Sequence, residues 1–79
     1  MNLFDKANFT NSRHDFLEFL SLLREDYIND KSSWGNVSLE DFFDSIIAWL
    51  QDYHGNDVDI ENPNWKTIAA LFYMGKIYE

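Results

Sequence analysis

Apolar residues recur at helical spacing in three segments of the chain, and polar connectors separate these segments. Side chains three or four residues apart share one face of a helix, so each segment predicts a helix that buries one face. The first covers about residues 12–28, with Phe16, Phe19, Leu20, Leu23 and Tyr27 on its apolar face. Ser12 and Asp15 have the spacing of an N-cap and capping box, which predicts the helix start.

The second predicted helix covers about residues 38–54. Ser38 and Asp41 repeat the capping-box spacing, and Val37 and Phe42 have the spacing of a hydrophobic staple. His54 and Gly55 are expected to end this helix, with Gly55 in the position after the C-cap. The expected buried arc consists of Leu39, Phe42, Phe43, Ile46, Trp49, Leu50 and Tyr53.

The third predicted helix covers about residues 63–78, with Asn62 as N-cap and Pro63 as its first residue. It is apolar nearly all round, since Lys66, Thr67 and Lys76 are the clearly polar positions between Trp65 and Tyr78. Such a helix must be enclosed by neighbours or present a face to another chain. Either the N-terminal arm, residues 1–11, covers its outer side, or the chain associates with a second copy through this helix.

These segments predict a mainly α fold: one compact three-helix domain, residues 1–79, with irregular connectors. A chain of this length buries only about 60–65% of its unfolded surface, less than a larger domain does, so a core of large rings is valuable. Seven Phe, four Tyr and three Trp supply that core, and no Cys is present to form a disulfide. Trp34 is interpreted as a core plug under the first connector rather than as an exposed ligand platform, and Tyr78 is expected to pack on the core.

The amino-acid composition restricts the expected cellular location of the protein and the type of partner that it can bind. The absence of Cys, of a signal-like N-terminus and of any apolar run near 20 residues predicts a cytoplasmic protein. Fourteen acidic and six basic residues give a net charge of −8. This charge disfavours direct binding of nucleic acid and of anionic membranes. It is compatible with a basic protein partner, and equally with a role in solubility alone.

No residue pattern points to catalysis, a metal or a cofactor. His14 and His54 are expected to be surface or capping residues, because neither stands in a catalytic signature. Asp57, Asp59 and Glu61 resemble the start of a calcium loop, but Asn62 and Ile68 occupy the positions where that loop needs Gly and Glu. The chain is therefore not expected to be an enzyme.

An acidic recognition surface is the remaining candidate site. Acids and asparagines cluster around the connector between the second and third helices, where they could meet a basic protein surface. A solvated loop without a function is the alternative. The candidate protein-binding residues are Asp44, Asp52, Asp57, Asp59 and Glu61.

The spacing of the anchor residues is similar to that of a widespread family of short bacterial proteins known as a domain of unknown function. The resemblance covers Ser12 to Glu79 and is carried by Ser12, Arg13, Phe16, Phe19, Leu20, Asp26, Trp34, Asn36, Leu39, Phe42, Trp49, Asp52, Pro63, Trp65, Ala69, Tyr78 and Glu79. It implies a stand-alone cytoplasmic bacterial protein and brings no catalytic residue.

Three functional hypotheses follow. Small acidic solitary domains are often immunity proteins, so the leading hypothesis is a module that neutralises a basic toxin by electrostatic and steric occlusion. The second is a regulatory adaptor or nucleic-acid mimic that binds a nucleic-acid-binding protein. The third is a structural protein that self-associates through the third helix.

Overall fold

The computed structural model describes residues 2–53, 55 and 61–78. Over these residues the chain forms helices and no strand, which confirms the predicted mainly α fold. Three of the helices correspond to the three predicted from the sequence. The elements are α1 (Leu3–Asn8), α2 (Arg13–Asn29), a 3₁₀ turn (Lys31–Ser33), α3 (Leu39–Asp52) and α4 (Trp65–Ile77).

Two of the predicted helix starts are confirmed. Ser12 caps α2, where its hydroxyl oxygen accepts a hydrogen bond from the backbone N–H of Asp15 at 3.1 Å. Ser38 caps α3 in the same way, with Asp41 as the donor at 3.1 Å. Such caps satisfy N–H groups that have no partner within the helix.

One short helix was not predicted, and two predicted boundaries are wrong. The N-terminal arm contains α1, which has only six residues and therefore a weak periodic signal; the side chain of Asn2 caps it by accepting from Asp5 N–H at 2.8 Å. Helix α4 begins two residues later than predicted, because Asn64 rather than Asn62 accepts from the N–H of Thr67. Helix α3 ends at Asp52, before Gly55, and His54 lies outside the described residues.

Helix α4 is the centre of the fold. It packs against α1, α2 and α3, whereas α2 and α3, both fully described, do not pack on each other. Every residue of α4 except Ile77 is buried or partly buried. The neighbouring helices of the same chain thus cover the helix that the sequence showed to be apolar nearly all round, and α1 provides the expected cover from the N-terminal arm.

Large rings connect α4 to its neighbours. Phe16 of α2 lies 5.6 Å from Trp65 and 5.8 Å from Phe72 between ring centres, and Phe42 of α3 lies 6.1 Å from Phe72. Phe4 of α1 meets Tyr73 edge to face at 5.9 Å. The buried centre beneath these rings consists of Ala7, Phe19, Leu23 and Ala69. An aromatic core therefore holds the helices together, as predicted.

The ring of Phe42 of α3 lies directly against Gly75 of α4. A Cβ atom at this position would overlap the ring of Phe42, with two ring carbons at 2.7 and 2.8 Å. Glycine costs about 1 kcal/mol in a helix interior relative to alanine. At position 75 this cost is offset, because the ring of Phe42 occupies the space that a larger side chain would need.

Gly75→Ala should therefore destabilise the protein despite the better helix propensity of alanine. Overpacking typically costs about 1–3 kcal/mol, so we expect the free energy of unfolding in urea to fall by up to about 2 kcal/mol. In a Phe42→Val background the ring is absent, and the same change should raise stability by up to about 1 kcal/mol. Equal effects of Gly75→Ala in the two backgrounds would contradict the close approach.

Candidate interaction surface

The connector between α2 and α3 lies against the C-terminal end of α4. The side-chain amide of Asn36 donates to the carbonyl oxygens of Gly75 at 3.2 Å and Tyr78 at 2.8 Å. The backbone N–H groups of Gly35 and Asn36 donate to the carbonyl of Lys76 at 3.0 and 3.3 Å. The last carbonyls of a helix have no partner within it, so this connector caps α4 from a distant part of the chain.

Ser45 of α3 contributes to the same cap. Its side chain is buried, and its hydroxyl lies within hydrogen-bonding reach of the carbonyl oxygens of Met74, at 2.8 Å, and Tyr78. Trp49, one turn further along α3, is also buried. The face of α3 that meets α4 therefore carries Ser45 and Trp49 beside Phe42, and it does not include the other Phe of the helix, Phe43.

This orientation leaves apolar side chains of α3 in solvent, which corrects the predicted buried arc. Leu39 is 70% exposed, Phe43 54%, Ile47 53% and Leu50 38%. We call these four residues the α3 stripe. Leu39, Phe43 and Leu50 were expected in the core, but among the described helices α3 packs only on α4, and one neighbouring helix cannot cover so wide an apolar arc.

Exposed acids run alongside the α3 stripe. Glu40 and Asp44 each follow a stripe residue, so each lies about 100° further round the helix. Of the predicted site residues, Asp44 belongs to this row. Asp52 lies at the end of α3, and Glu61 is exposed ahead of α4. Asp57 and Asp59 lie outside the described residues.

An apolar groove of about 420 Å³ lies between α2 and α3, beside the stripe. Leu39 belongs to both the groove wall and the stripe, so the two surfaces are continuous. The groove exists because α2 and α3 pack on α4 without packing on each other. Its main lining residues are Leu20, Leu23, Tyr27, Trp34, Leu39 and Phe42, with Arg24 on the α2 side.

Trp34 is held in the groove wall by a polar network. It packs against the core cluster, its indole N–H donates to Asp26 at 2.8 Å, and Tyr27 meets its ring edge to face at 5.0 Å. Lys76 forms an ion pair with the same carboxylate at 2.8 Å, and its ammonium lies 5.8 Å from the centre of the Trp34 ring. Trp34 therefore packs on the core with one face beside the groove.

The environment of Asp26 shifts its titration. Burial by itself raises the pKa of its carboxyl, but hydrogen bonds from Lys76 and Trp34 and the charge of Lys76 outweigh burial. The pKa of Asp26 consequently lies below its ordinary value. Lys76 is almost fully buried on α4, so this ion pair joins the end of α4 to α2.

Tyr78 docks at the end of α3 through its hydroxyl. It is partly buried, and its hydroxyl donates to the carboxylate of Asp52 at 2.5 Å, which raises the pKa of Tyr78. Asp52 is thus engaged in holding the chain beyond α4, a structural role that its acidic surroundings in the sequence did not indicate.

The described part of the chain gives little support for a metal site, for histidine chemistry or for a membrane span. No group of three or more His, Cys, Asp or Glu residues in it could hold a metal ion. His14 is exposed and lies 3.6 Å from Glu18. None of the described helices combines the length and the hydropathy that a membrane span requires.

The fold and this surface define a small helical protein with an exposed apolar stripe, an acidic row and an apolar groove on one side. The chain belongs to a family of unknown function (DUF7660), whose family model matches residues 12–79. This confirms the predicted membership of a family of unknown function over residues 12–79, and α1 lies outside the matched part. Comparison with curated proteins and with solved structures finds no match.

The low pKa of Asp26 makes a prediction for the Asp26→Asn variant. A carboxyl whose pKa is depressed in the folded state stabilises the protein above its unfolded pKa of about 3.9, and this contribution is lost as the pH falls through the folded value. Wild type should therefore be more stable than the variant at pH 7, with a difference that shrinks below about pH 4. Urea unfolding at a series of pH values measures it.

Glu61→Gln is the matched control, because Glu61 is an exposed acid outside the helices. Its stability difference from wild type should stay small across the same pH range. A constant difference between wild type and Asp26→Asn from pH 7 to pH 2 would contradict the assigned network.

Proposed function

We propose that this chain is a non-enzymatic protein-binding module of the bacterial cytoplasm and that it binds through the α3 stripe and the acids beside it. The observation that carries the proposal is the row of four exposed apolar side chains on α3, Leu39 to Leu50. Continuous exposed apolar surface is costly in water and commonly marks a site of association. Burial of Ser45 in the cap of α4 directs this row of apolar side chains to solvent.

Charge supports a basic partner. Glu40 and Asp44 border the stripe, and the chain as a whole carries a net charge of −8. Such a field accelerates encounter with a basic surface, while the apolar residues supply most of the affinity once the surfaces meet. Apolar centre and charged rim together are the usual composition of a protein interface.

The most concrete form of the proposal is an immunity-type protein that neutralises a toxin. Its mechanism is occlusion: the stripe covers an apolar part of the toxin surface, and the acids cover adjoining basic residues. The alternative of a nucleic-acid mimic predicts a binding surface made of charge alone, and the apolar stripe favours a protein surface over such mimicry. The self-association hypothesis rested on an uncovered third helix, and that helix, α4, is covered by the chain's own helices.

Partner capture from the native host tests the proposal. Tagged wild type should retain a basic protein that tagged Leu39→Ser/Phe43→Ser does not. Exposed anchors each carry about 1 kcal/mol or more at an interface. With the reconstituted partner, the double variant should therefore bind at least about tenfold more weakly. Rising salt should slow association of wild type, because the acids steer the encounter.

Phe9→Ser is the matched control, since Phe9 is 67% exposed and lies at the end of α1, which does not pack on α3. It should retain the partner with unchanged affinity. Capture that is equal for wild type and for the double variant, with both folded by circular dichroism, would overturn the proposed binding surface.

A further inference from the structure

We infer that the occupant of this surface is an amphipathic helix of the partner protein, with apolar residues at helical spacing and basic residues along one flank. The inference rests on the proposed function and specifies the chemistry of the partner. The helix lies along the α3 stripe, and its apolar side chains enter the groove between α2 and α3.

The first argument concerns the backbone of the occupant. A peptide bound in extended form needs hydrogen bonds from the protein, usually from an exposed sheet edge. Residues 2–53, 55 and 61–78 contain no strand and so no such edge. A helix satisfies its own backbone groups and needs only an apolar surface for its side chains.

The polar groups of the groove wall support the same conclusion, because they already have partners. The amide of Asn36 donates to two carbonyls of the α4 end, and the indole N–H of Trp34 donates to Asp26. The hydroxyl of Tyr27 donates to the carbonyl of Val37 at 2.9 Å, and Ser38 caps α3. The groove thus presents apolar side chains rather than hydrogen-bonding groups to an occupant.

The stripe has the length of a short recognition helix. From Leu39 to Leu50 it spans eleven residue steps, or about 16 Å at 1.5 Å per residue. Its members recur at intervals of three or four residues, as they do on one face of a helix. A partner helix of about three to four turns, with apolar residues at the same intervals, would match this length.

Charge sets the orientation and disfavours a second copy as the occupant. Going round α3 from the side of α2, the groove comes first, then the α3 stripe, then the acids Glu40 and Asp44. The basic residues of the partner helix are therefore expected on its flank that lies away from α2. Arg24 lies on the α2 wall. Two copies meeting through this surface would bring together chains that each carry −8.

Three synthetic helical peptides test the inference. All have 18 residues with blocked ends; the basic probe has Leu at i, i+4, i+7 and i+11 and Lys along one flank. The acidic probe has Glu in place of Lys, and the scrambled probe has the basic composition without a continuous apolar face. We expect the basic probe to bind wild type at least tenfold more tightly than either control, by fluorescence anisotropy, with NMR shift changes centred on Leu39, Phe43, Ile47 and Tyr27.

Variants identify the contacts. Phe43→Ser should weaken the basic probe at least tenfold, whereas Phe9→Ser should bind as wild type does. Glu40→Lys/Asp44→Lys should reverse the preference between basic and acidic probes, and Glu61→Lys should not. Circular dichroism and thermal melting confirm that each variant is folded.

Several outcomes would overturn the inference: equal binding of basic and scrambled probes, shift changes on the α1 side, or a wild-type dimer in sedimentation that Phe43→Ser dissociates. The last would identify a second copy as the occupant. If no probe binds while capture of the host partner still requires Leu39 and Phe43, the inference of a helical occupant is wrong and the proposed function is retained. If capture of the host partner does not depend on Leu39 and Phe43, the proposed function itself is wrong.

Discussion

The carbonyl oxygens at the end of α4 must find donors at a point where Gly75 and Lys76 are buried. Most helices end at the surface, where water or a glycine turn satisfies these groups. Here Asn36 and Ser45, from two other parts of the chain, donate to them. Buried backbone groups without partners are costly, so this constraint fixes the connector and α3 relative to α4.

The exposed surface follows from that constraint. Because Ser45 faces α4, the apolar residues of α3 that lie furthest from it around the helix face solvent, and the α3 stripe results. Because Asn36 holds the connector against α4, Trp34 lies beside α2, where Asp26 and Lys76 fix it as part of the groove wall. The cap that completes the core thus also positions the surface proposed for binding.

Local signals in the sequence were sufficient for part of this architecture. The caps at Ser12 and Ser38, the three main helices and the aromatic core depend on neighbouring residues or on simple periodicity, and each was predicted correctly.

The predicted start of α4 was wrong because Asn62 and Asn64 both suit an N-cap, and only the fold selects between them. The buried arc predicted for α3 was too wide: Trp49 is buried, but Leu39, Phe43 and Leu50 are exposed. Periodicity assigns all apolar residues to the core, whereas a contact 29 residues away, from Ser45 to Met74, sets the orientation of the helix. Of the predicted acidic site, Asp44 lies beside the stripe, Asp52 is bonded to Tyr78, and Asp57 and Asp59 lie outside the described residues.

The orientation of α3 determines which surface is exposed, and the absence of native Cys permits a direct measurement of it. Single-cysteine variants at residues 39, 43, 45, 47 and 49 can be labelled with a thiol reagent under native conditions and compared with the unfolded chain. We expect labelling near the unfolded rate at 39, 43 and 47 and strong protection at 45 and 49. Fast labelling at 45 with protection at 43 would show that α3 buries its apolar stripe, and the orientation described above would then be wrong.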